Sequence, residues 1–326
     1  MLNKKILQKI LLLLLVGLNL NADAILTDYR NNGVEGIEKK MDEELTHVAY
    51  WNSLLKDIDT SFGYIESYQS ILTCNKAKST LSLFKHNKES KFTLQEQYSA
   101  FTGKVKGDKR KEGDLKTPIG LYNIQKKISK LDSFYGPLAF VTSYPNIYDK
   151  FLGKNGSGIW IHGLPTEQER DDFTKGCIAI NNDNIVCLDK ELDIDSTLLI
   201  INPDKDNMGT SKKVLAKILA DLYEWRYSWL YNDTKKYLSF YSSDFVRDDG
   251  MKYSRFVKYK TRIFKKEERK TIIFNDINVI PYPKNKDIFQ ITFKEFYNSS
   301  SFKFEGNKIL IVKINEGHNF QILTEK

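Results

Sequence analysis

The chain has few cysteines and histidines for its length. Its 326 residues include three cysteines, an odd number, and four histidines. An exported chain of this size with so few cysteines is not built on disulfides, and these residues show no zinc-type spacing such as C-x-x-C. The sequence therefore predicts neither a structural metal nor a cofactor. Cys74 and Cys187 either pair with each other or stay buried and reduced, and we favour the second arrangement.

Long apolar runs are scarce as well. The longest, residues 10–20, follows Lys4, Lys5 and Lys9 and ends near Ala22-Asp-Ala24. It is too short to cross a bilayer as a helix. A charged start, a short apolar centre and an A-x-A-like site are typical of a cleavable signal peptide. We predict a signal peptide at residues 1–24, export, and no stable membrane span after processing; an uncleaved anchor is the alternative.

The sequence has an excess of positive charge, but the charged residues are not clustered. The formal net charge is +8, but the lysines are scattered along the chain. A basic protein can bind nucleic acid or an anionic surface. Export argues against nucleic acid as a partner, so an acidic polymer of the cell envelope is the more economical target.

Hydrophobic periodicity divides the mature chain into three parts. Residues 25–78 read as a helical segment that packs on the following domain or on a second subunit; dimerisation and packing within a monomer both stay open. Residues 79–203 alternate as strands separated by turns, which predicts a barrel or sandwich. A linker at 202–209 leads into residues 204–326, where an amphipathic helix and an aromatic-rich stretch precede several strands. That aromatic stretch forms either core or the wall of a pocket.

Two short motifs carry the chemistry. They are Gly158-Ile-Trp-Ile-His162-Gly163 and Thr174-Lys-Gly176-Cys177-Ile. A thiol reacts as the thiolate, and a neighbouring imidazole can take its proton and later return it. A glycine before the cysteine allows close approach of a substrate carbonyl and leaves backbone N–H groups to hold an oxyanion. A small core cysteine beside a structural histidine would look the same, so the residues alone leave both interpretations open.

These motifs resemble the signature of the YkuD-type L,D-transpeptidase domain, in which HG is followed by S/T-H-G-C. A charged, glycine-punctuated loop that begins at Gly103 and runs into Thr117-Pro118-Ile-Gly120 is similar to a second element of that family. The resemblance covers about residues 90–203. Lys175 stands where the family usually has His, and Ala179 where it often has Arg. The first change adds a positive charge near the thiolate, and the second alters how a substrate carboxylate is held.

The resemblance implies an α+β chain. Its parts are an N-terminal helical segment, a mostly β YkuD-type catalytic domain and a C-terminal domain. In the last, the aromatic-rich residues from Trp225 to Tyr231 and from Tyr237 to Phe245 resemble the helical opening of the NTF2-like α+β fold. This arrangement is similar to the cell-shape L,D-carboxypeptidases of helical Gram-negative bacteria, so the implied location is the periplasm and the implied partners are peptidoglycan muropeptides. The implied reaction removes the terminal D-Ala of a tetrapeptide stem. Cross-linking transpeptidation and non-enzymatic binding to the envelope are the alternatives.

The resemblance also assigns roles to individual residues. Cys177 is the implied nucleophile, His162 its base, and the carbonyl of Gly163 orients the imidazole. The backbone N–H groups of Gly176 and Cys177 are the implied oxyanion donors. The implied contacts with the substrate come from Trp160, Thr174 and Lys175.

Overall fold

The fold was analysed in a computed structural model, which describes residues 4–166, 171–204, 209–315, 317 and 319–326, with side chains from residue 23 onward. The helices among these residues are α1 (Lys4–Glu44), α2 (Val48–Leu54), α3 (Ile147–Phe151), α4 (Asn182–Glu191), α5 (Lys212–Leu230), α6 (Thr234–Ser239) and α7 (Tyr253–Phe264). The strands are β1 (Tyr64–Ile65), β2 (Ser70–Asn75), β3 (Thr80–His86), β4 (Phe92–Phe101), β5 (Gly120–Ile128), β6 (Ala139–Thr142), β7 (Trp160–His162), β8 (Ile178–Ile180), β9 (Thr197–Asn202), β10 (Lys270–Pro281), β11 (Ile288–Ser299), β12 (Lys303–Lys313) and β13 (Gln321–Glu325).

Eight strands close into a barrel in the order β2-β3-β4-β8-β7-β6-β5-β9. The pairs β7–β8 and β2–β9 are parallel, and the other neighbours are antiparallel. Apolar side chains from both halves of the barrel fill its interior, among them Leu72, Phe140, Ile161 and Ile178. Because closure leaves no free edge, the barrel provides a rigid wall for any site built on it.

The C-terminal domain is an antiparallel sheet covered by helices. Its strands run in the order β1-β10-β11-β12-β13, and a register shift in β10 lies between Asn275 and Asn278. The aromatic-rich stretch supplies much of the core, with Trp225, Tyr237 and Phe240 fully buried. Helices followed by an antiparallel sheet match the α+β architecture expected for this part of the chain.

The expectation of helix up to residue 78 is wrong for its second half. Helix ends at the short 3₁₀ turn Leu55–Asp57, and β1 and β2 follow. Strand β2 is buried at every position and lies inside the barrel wall, paired with β3 on one side and β9 on the other. A strand buried on both faces lacks the alternation that marks a half-buried strand, so periodicity does not distinguish Ser70–Asn75 from a helical segment.

The N-terminal helices pack on the C-terminal domain rather than on the barrel. Trp51 and Leu55 join the core built around α5. Asp42 accepts a hydrogen bond from Arg226 of α5 at 2.7 Å. The helical arm was expected to contact the following catalytic domain. It packs on the C-terminal domain instead, where its apolar side chains share a core with those of α5. Dimerisation through this arm remains a prediction.

The barrel and the C-terminal sheet share a buried interface. Phe62, Ile71 and Leu198 on the barrel side pack with Ile280 and Ile311 of the sheet. Part of the linker at 202–209 (residues 205–208) lies outside the described residues. None of the helices over the described part of the chain combines the length and the apolar character that crossing a membrane requires.

Candidate active site

The histidine and cysteine motifs lie side by side on the barrel wall. Ile161 pairs with Ile178 in parallel register, and both side chains belong to the barrel core. Because side chains alternate along a strand, His162 and Cys177, which directly precedes β8, face the opposite side together. They are diagonal neighbours, so strand geometry puts their Cα atoms about 8 Å apart.

The imidazole is held by its own neighbour. His162 Nδ1 lies 2.7 Å from the carbonyl oxygen of Gly163. A carbonyl only accepts, so Nδ1 carries a proton, and in the neutral imidazole the lone pair then lies on Nε2. The histidine is only 2% exposed, which fixes the ring orientation. An imidazole that donates from Nδ1 is oriented to accept a proton at Nε2.

Position 163 has no room for a side chain. A Cβ there would collide with Oδ1 of Asn182 and would lie 2.8 Å from Cδ of Pro137. The same Asn182 oxygen accepts a 2.7 Å hydrogen bond from the N–H of Leu164. Asn182 therefore fixes the chain just after the histidine, and glycine is what lets it approach.

Residues 174–177, which we call the nucleophile turn, are held by the hydroxyl of Thr174. This oxygen accepts from the N–H of Gly176 at 2.9 Å and donates to the carbonyl of Cys177 at 2.7 Å. Thr174 is buried, so its hydroxyl shapes the turn instead of pointing to a substrate. The N–H of Gly176 is engaged in that bond, which argues against its expected role as an oxyanion donor.

Gly176 itself is required by conformation and by space. Its φ is +139°, and a Cβ would lie 2.9 Å from the carbonyl oxygen of Lys116 and 3.2 Å from Cδ1 of Ile159. The thiol of Cys177 donates to the carbonyl of Gly158 at 3.4 Å. The position of the thiol thus depends on two backbone carbonyls from two different loops.

Aromatic rings border the imidazole. Trp160 is half-buried, and its ring lies 5.1 Å from that of Tyr135. Tyr135 also meets the ring of His162 edge to face at 5.1 Å. Sequence reasoning missed Tyr135. Asp132 and Gly136 are residues typical of turns, and they flank the short turn Ser133–Tyr135, but spacing along the chain does not show that this turn reaches the histidine.

The two departures from the family pattern lie close to the site. Lys175 is exposed on the nucleophile turn, where its charge is available to a carboxylate. Ala179 pairs with His162 across the β7–β8 ladder and is fully buried. The usual arginine is therefore absent from the strand position next to the imidazole.

All three cysteines are reduced in the structure. Burial raises the pKa of Cys74 to about 12, so this thiol is unreactive near neutral pH. Cys187 is exposed on α4, which contradicts the expectation that it is buried. Cys177 lies half-buried beside a histidine. Over the described residues, no three side chains of His, Cys, Asp or Glu are grouped so as to hold a metal ion.

The C-terminal domain contains a cavity of about 700 Å³. Cationic and aromatic side chains line much of it, among them Lys260, Arg262, Lys308, Trp229 and Tyr297. Most of the aromatic-rich stretch is thus core, as the fully buried Trp225 and Tyr237 show, while Trp229 reaches the cavity. The aromatic-rich stretch therefore contributes both to the core and to the wall of a cavity.

The family comparisons agree with this architecture. The L,D-transpeptidase catalytic domain matches residues 69–200, and the Cds6 C-terminal NTF2-like domain matches residues 217–326. YafK of Escherichia coli (strain K12), a candidate L,D-transpeptidase, is 37% identical over 79 residues, which are 24% of this chain and 29% of YafK. The chain therefore spans less than a third of that relative.

Two solved structures are similar over most of the chain. The helical cell shape determining protein Pgp2 from Campylobacter jejuni is 36% identical, with a TM-score of 0.78, and the match covers 86% of this chain and 99% of Pgp2. Bd1075 of Bdellovibrio bacteriovorus is 26% identical, with a TM-score of 0.65, over 82% of this chain and 97% of Bd1075. The resemblance expected from the two motifs is confirmed: the chain belongs to the L,D-transpeptidase (YkuD) family, in the form that carries an NTF2-like C-terminal domain.

Proposed function

We propose that the protein is a cysteine L,D-carboxypeptidase that removes the terminal D-Ala from tetrapeptide stems of peptidoglycan and thereby contributes to cell shape. The observation that carries the proposal is the hydrogen bond from His162 Nδ1 to the Gly163 carbonyl, with Cys177 on the same face of the barrel wall. The likeness to Pgp2, a helical cell shape determining protein, supports the substrate class and the role in cell shape.

In the proposed reaction, Nε2 of His162 takes the thiol proton of Cys177. The thiolate then attacks the carbonyl on the L-centre of the diamino acid at position three of the stem, and the amide of Cys177 stabilises the oxyanion. The protonated imidazole gives its proton to the amine of the departing D-Ala, which leaves a thioester on Sγ. Water, activated by the same imidazole, hydrolyses the thioester and frees the tripeptide stem.

The surroundings of Cys177 suit a substrate that carries carboxylates. Lys175 is exposed on the nucleophile turn, and Lys104 places its ammonium 4.6 Å from the ring centre of Phe173 nearby. The half-buried Trp160 offers an apolar face beside the histidine. In this proposal the lysines take over part of the attraction that the absent arginine at position 179 supplies in relatives.

The proposed place of action is the periplasm, reached through cleavage of the signal peptide at residues 1–24. Peptidoglycan is assembled and trimmed there, so an exported enzyme meets its substrate. A sequencing run on the N-terminus of the protein purified from its own envelope would show a start near residue 25; a start at Met1 would contradict cleavage.

The test is mass spectrometry of purified disaccharide-tetrapeptide after incubation with the protein. We expect disaccharide-tripeptide and free D-Ala with the wild type and neither product with Cys177→Ala. Cys187→Ala is the control: it removes an exposed thiol that has no part in the proposed reaction, so both products should form. Cross-linked dimers in place of tripeptide would make the protein a transpeptidase. An unchanged substrate would favour the non-enzymatic envelope-binding alternative.

A further inference from the structure

Two loops set the position of the nucleophilic thiol. The first, residues 102–119, brings the carbonyl of Lys116 against Gly176. The second, residues 143–159, contains Gly158, whose carbonyl accepts from Cys177 Sγ at 3.4 Å. A relative shift of these loops would move the turn and the acceptor of the thiol independently. The distance between the thiol and the imidazole therefore depends on how firmly the loops are joined.

A buried lysine joins them. Lys154 Nζ lies 2.8 Å from Asp108 Oδ2 of the first loop and 2.8 Å from Asp149 Oδ1 of α3, within the second. The side chain of Lys154 is 1% exposed and that of Asp149 is completely buried. Tyr122 of the barrel strand β5 donates to Asp149 at 3.0 Å, which anchors the ion cluster to the barrel.

Neighbouring contacts extend the junction. The N–H of Asn155 donates to the carbonyl of Arg110 at 3.2 Å, and its side-chain oxygen accepts from the N–H of Glu112 at 2.9 Å. Asp108 also accepts from the N–H of Ile119 at 2.9 Å, at the end of the first loop. The two loops are thus connected from Lys154 onward by side-chain and backbone bonds.

A buried ion cluster of this kind is an expensive way to gain stability alone. Desolvation of the charges offsets much of their attraction, and apolar side chains of similar volume often stabilise a fold as well or better. What a fully paired cluster adds is a single defined geometry. That property is useful where atoms must be held for a reaction.

We propose that Lys154 is a positioning residue for Cys177: by binding Asp108 and Asp149 together it fixes the two loops whose carbonyls contact the nucleophile turn and the thiol. The inference rests on the proposed function only in taking Cys177 as the nucleophile. Lys154 touches neither the substrate nor the thiol. It acts through the backbone of the loops.

The test uses alkylation of Cys177 by iodoacetamide in a Cys187→Ala background, across pH, because Cys74 is buried. We expect Lys154→Met and Asp108→Asn to slow alkylation at neutral pH about ten- to hundredfold, since small misplacements of reacting groups cost rate on that scale. The midpoint of the pH profile should move upward, because the imidazole no longer assists ionisation. Lys154→Arg, which keeps the charge, should retain most of the rate.

Two variants separate positioning from stability. Asp108→Asn leaves the Lys154–Asp149 pair intact, so the fold survives even where Lys154→Met does not. Arg226→Met breaks a largely buried ion pair with Asp42, far from the site, and should lower the thermal midpoint without changing alkylation. An unchanged rate and pH midpoint in Asp108→Asn would overturn the proposal.

The outcome is independent of the substrate. In peptide hydrolysis, the same variants should lower kcat and leave KM nearly unchanged. If the wild type hydrolyses no tetrapeptide while Asp108→Asn still slows alkylation and shifts its pH midpoint, the proposed function fails and the positioning role of Lys154 stands.

Discussion

Replacing Gly176 by alanine should damage both the fold and the site. A non-glycine residue at the observed φ of +139° costs about 1–3 kcal/mol of folding free energy. The added Cβ would also lie 2.9 Å from the carbonyl oxygen of Lys116, and a backbone oxygen cannot rotate away as a side chain can. The turn must therefore shift by several tenths of an ångström, and Cys177 moves with it. Misplacements approaching 1 Å cost a reaction up to about a hundredfold in rate.

The assay is paired measurement of chemical unfolding and of Cys177 alkylation at neutral pH. Gly250→Ala is the matched control: Gly250 has a φ of +85°, and a Cβ there would meet nothing within 4 Å. The control should lose about 1–2 kcal/mol of stability from backbone strain alone and keep the wild-type alkylation rate. If Gly176→Ala matched Gly250→Ala in both measurements, close approach of the Lys116 carbonyl would not matter to the thiol.

Two further predictions follow from the hydrogen bonds around the site. Thr174→Val removes both hydrogen bonds of the hydroxyl, so we expect a loss of about 1–3 kcal/mol in unfolding free energy and slower alkylation of Cys177. Thr174→Ser keeps the hydroxyl and should recover both properties. A valine variant as reactive as the wild type would refute this prediction. Burial raises the pKa of Asp114, but the N–H of Arg110 and the ammonium of Lys109 outweigh it and hold that pKa well below its usual range. Such a carboxylate stabilises the fold above the ordinary aspartate pKa, and this stabilisation is lost as the pH falls toward the lowered pKa of the folded state. In urea unfolding, the difference in stability between wild type and Asp114→Asn should therefore close from about pH 5 to pH 2. A difference that does not change with pH would be evidence against this role of Asp114.

The proposed catalytic pair could be predicted from the sequence because each of its members borders a recognisable pattern. His162 follows an alternating run and Cys177 precedes one, and each lies beside a glycine that the turns require. Strand β2 was not accessible, since a run buried on both faces has no period that separates it from helix. The domain on which the N-terminal helices pack could not be predicted either, because an apolar helix face does not specify which domain it covers.

Other parts of the site depend on distant contacts. Tyr135 reaches His162 only because the chain at Gly136 packs against Gly163. The use of the Gly176 amide by Thr174 is a matter of turn geometry that spacing does not reveal. Lys154 and Asp108 are separated along the chain and look like ordinary surface charges in the sequence, yet they meet in a buried cluster.

The parallel pairing of β7 with β8 positions His162 relative to Cys177 whatever the number of residues between the two strands. Ile161 against Ile178 sets the separation of the backbone at His162 and Cys177, and the described residues between the strands, 163–166 and 171–177, are not part of that ladder. Insertions or deletions between residue 164 and the nucleophile turn should therefore leave the backbone positions of His162 and Cys177 unchanged. For engineering, this connection is where new substrate contacts can be introduced while the reacting atoms stay in place.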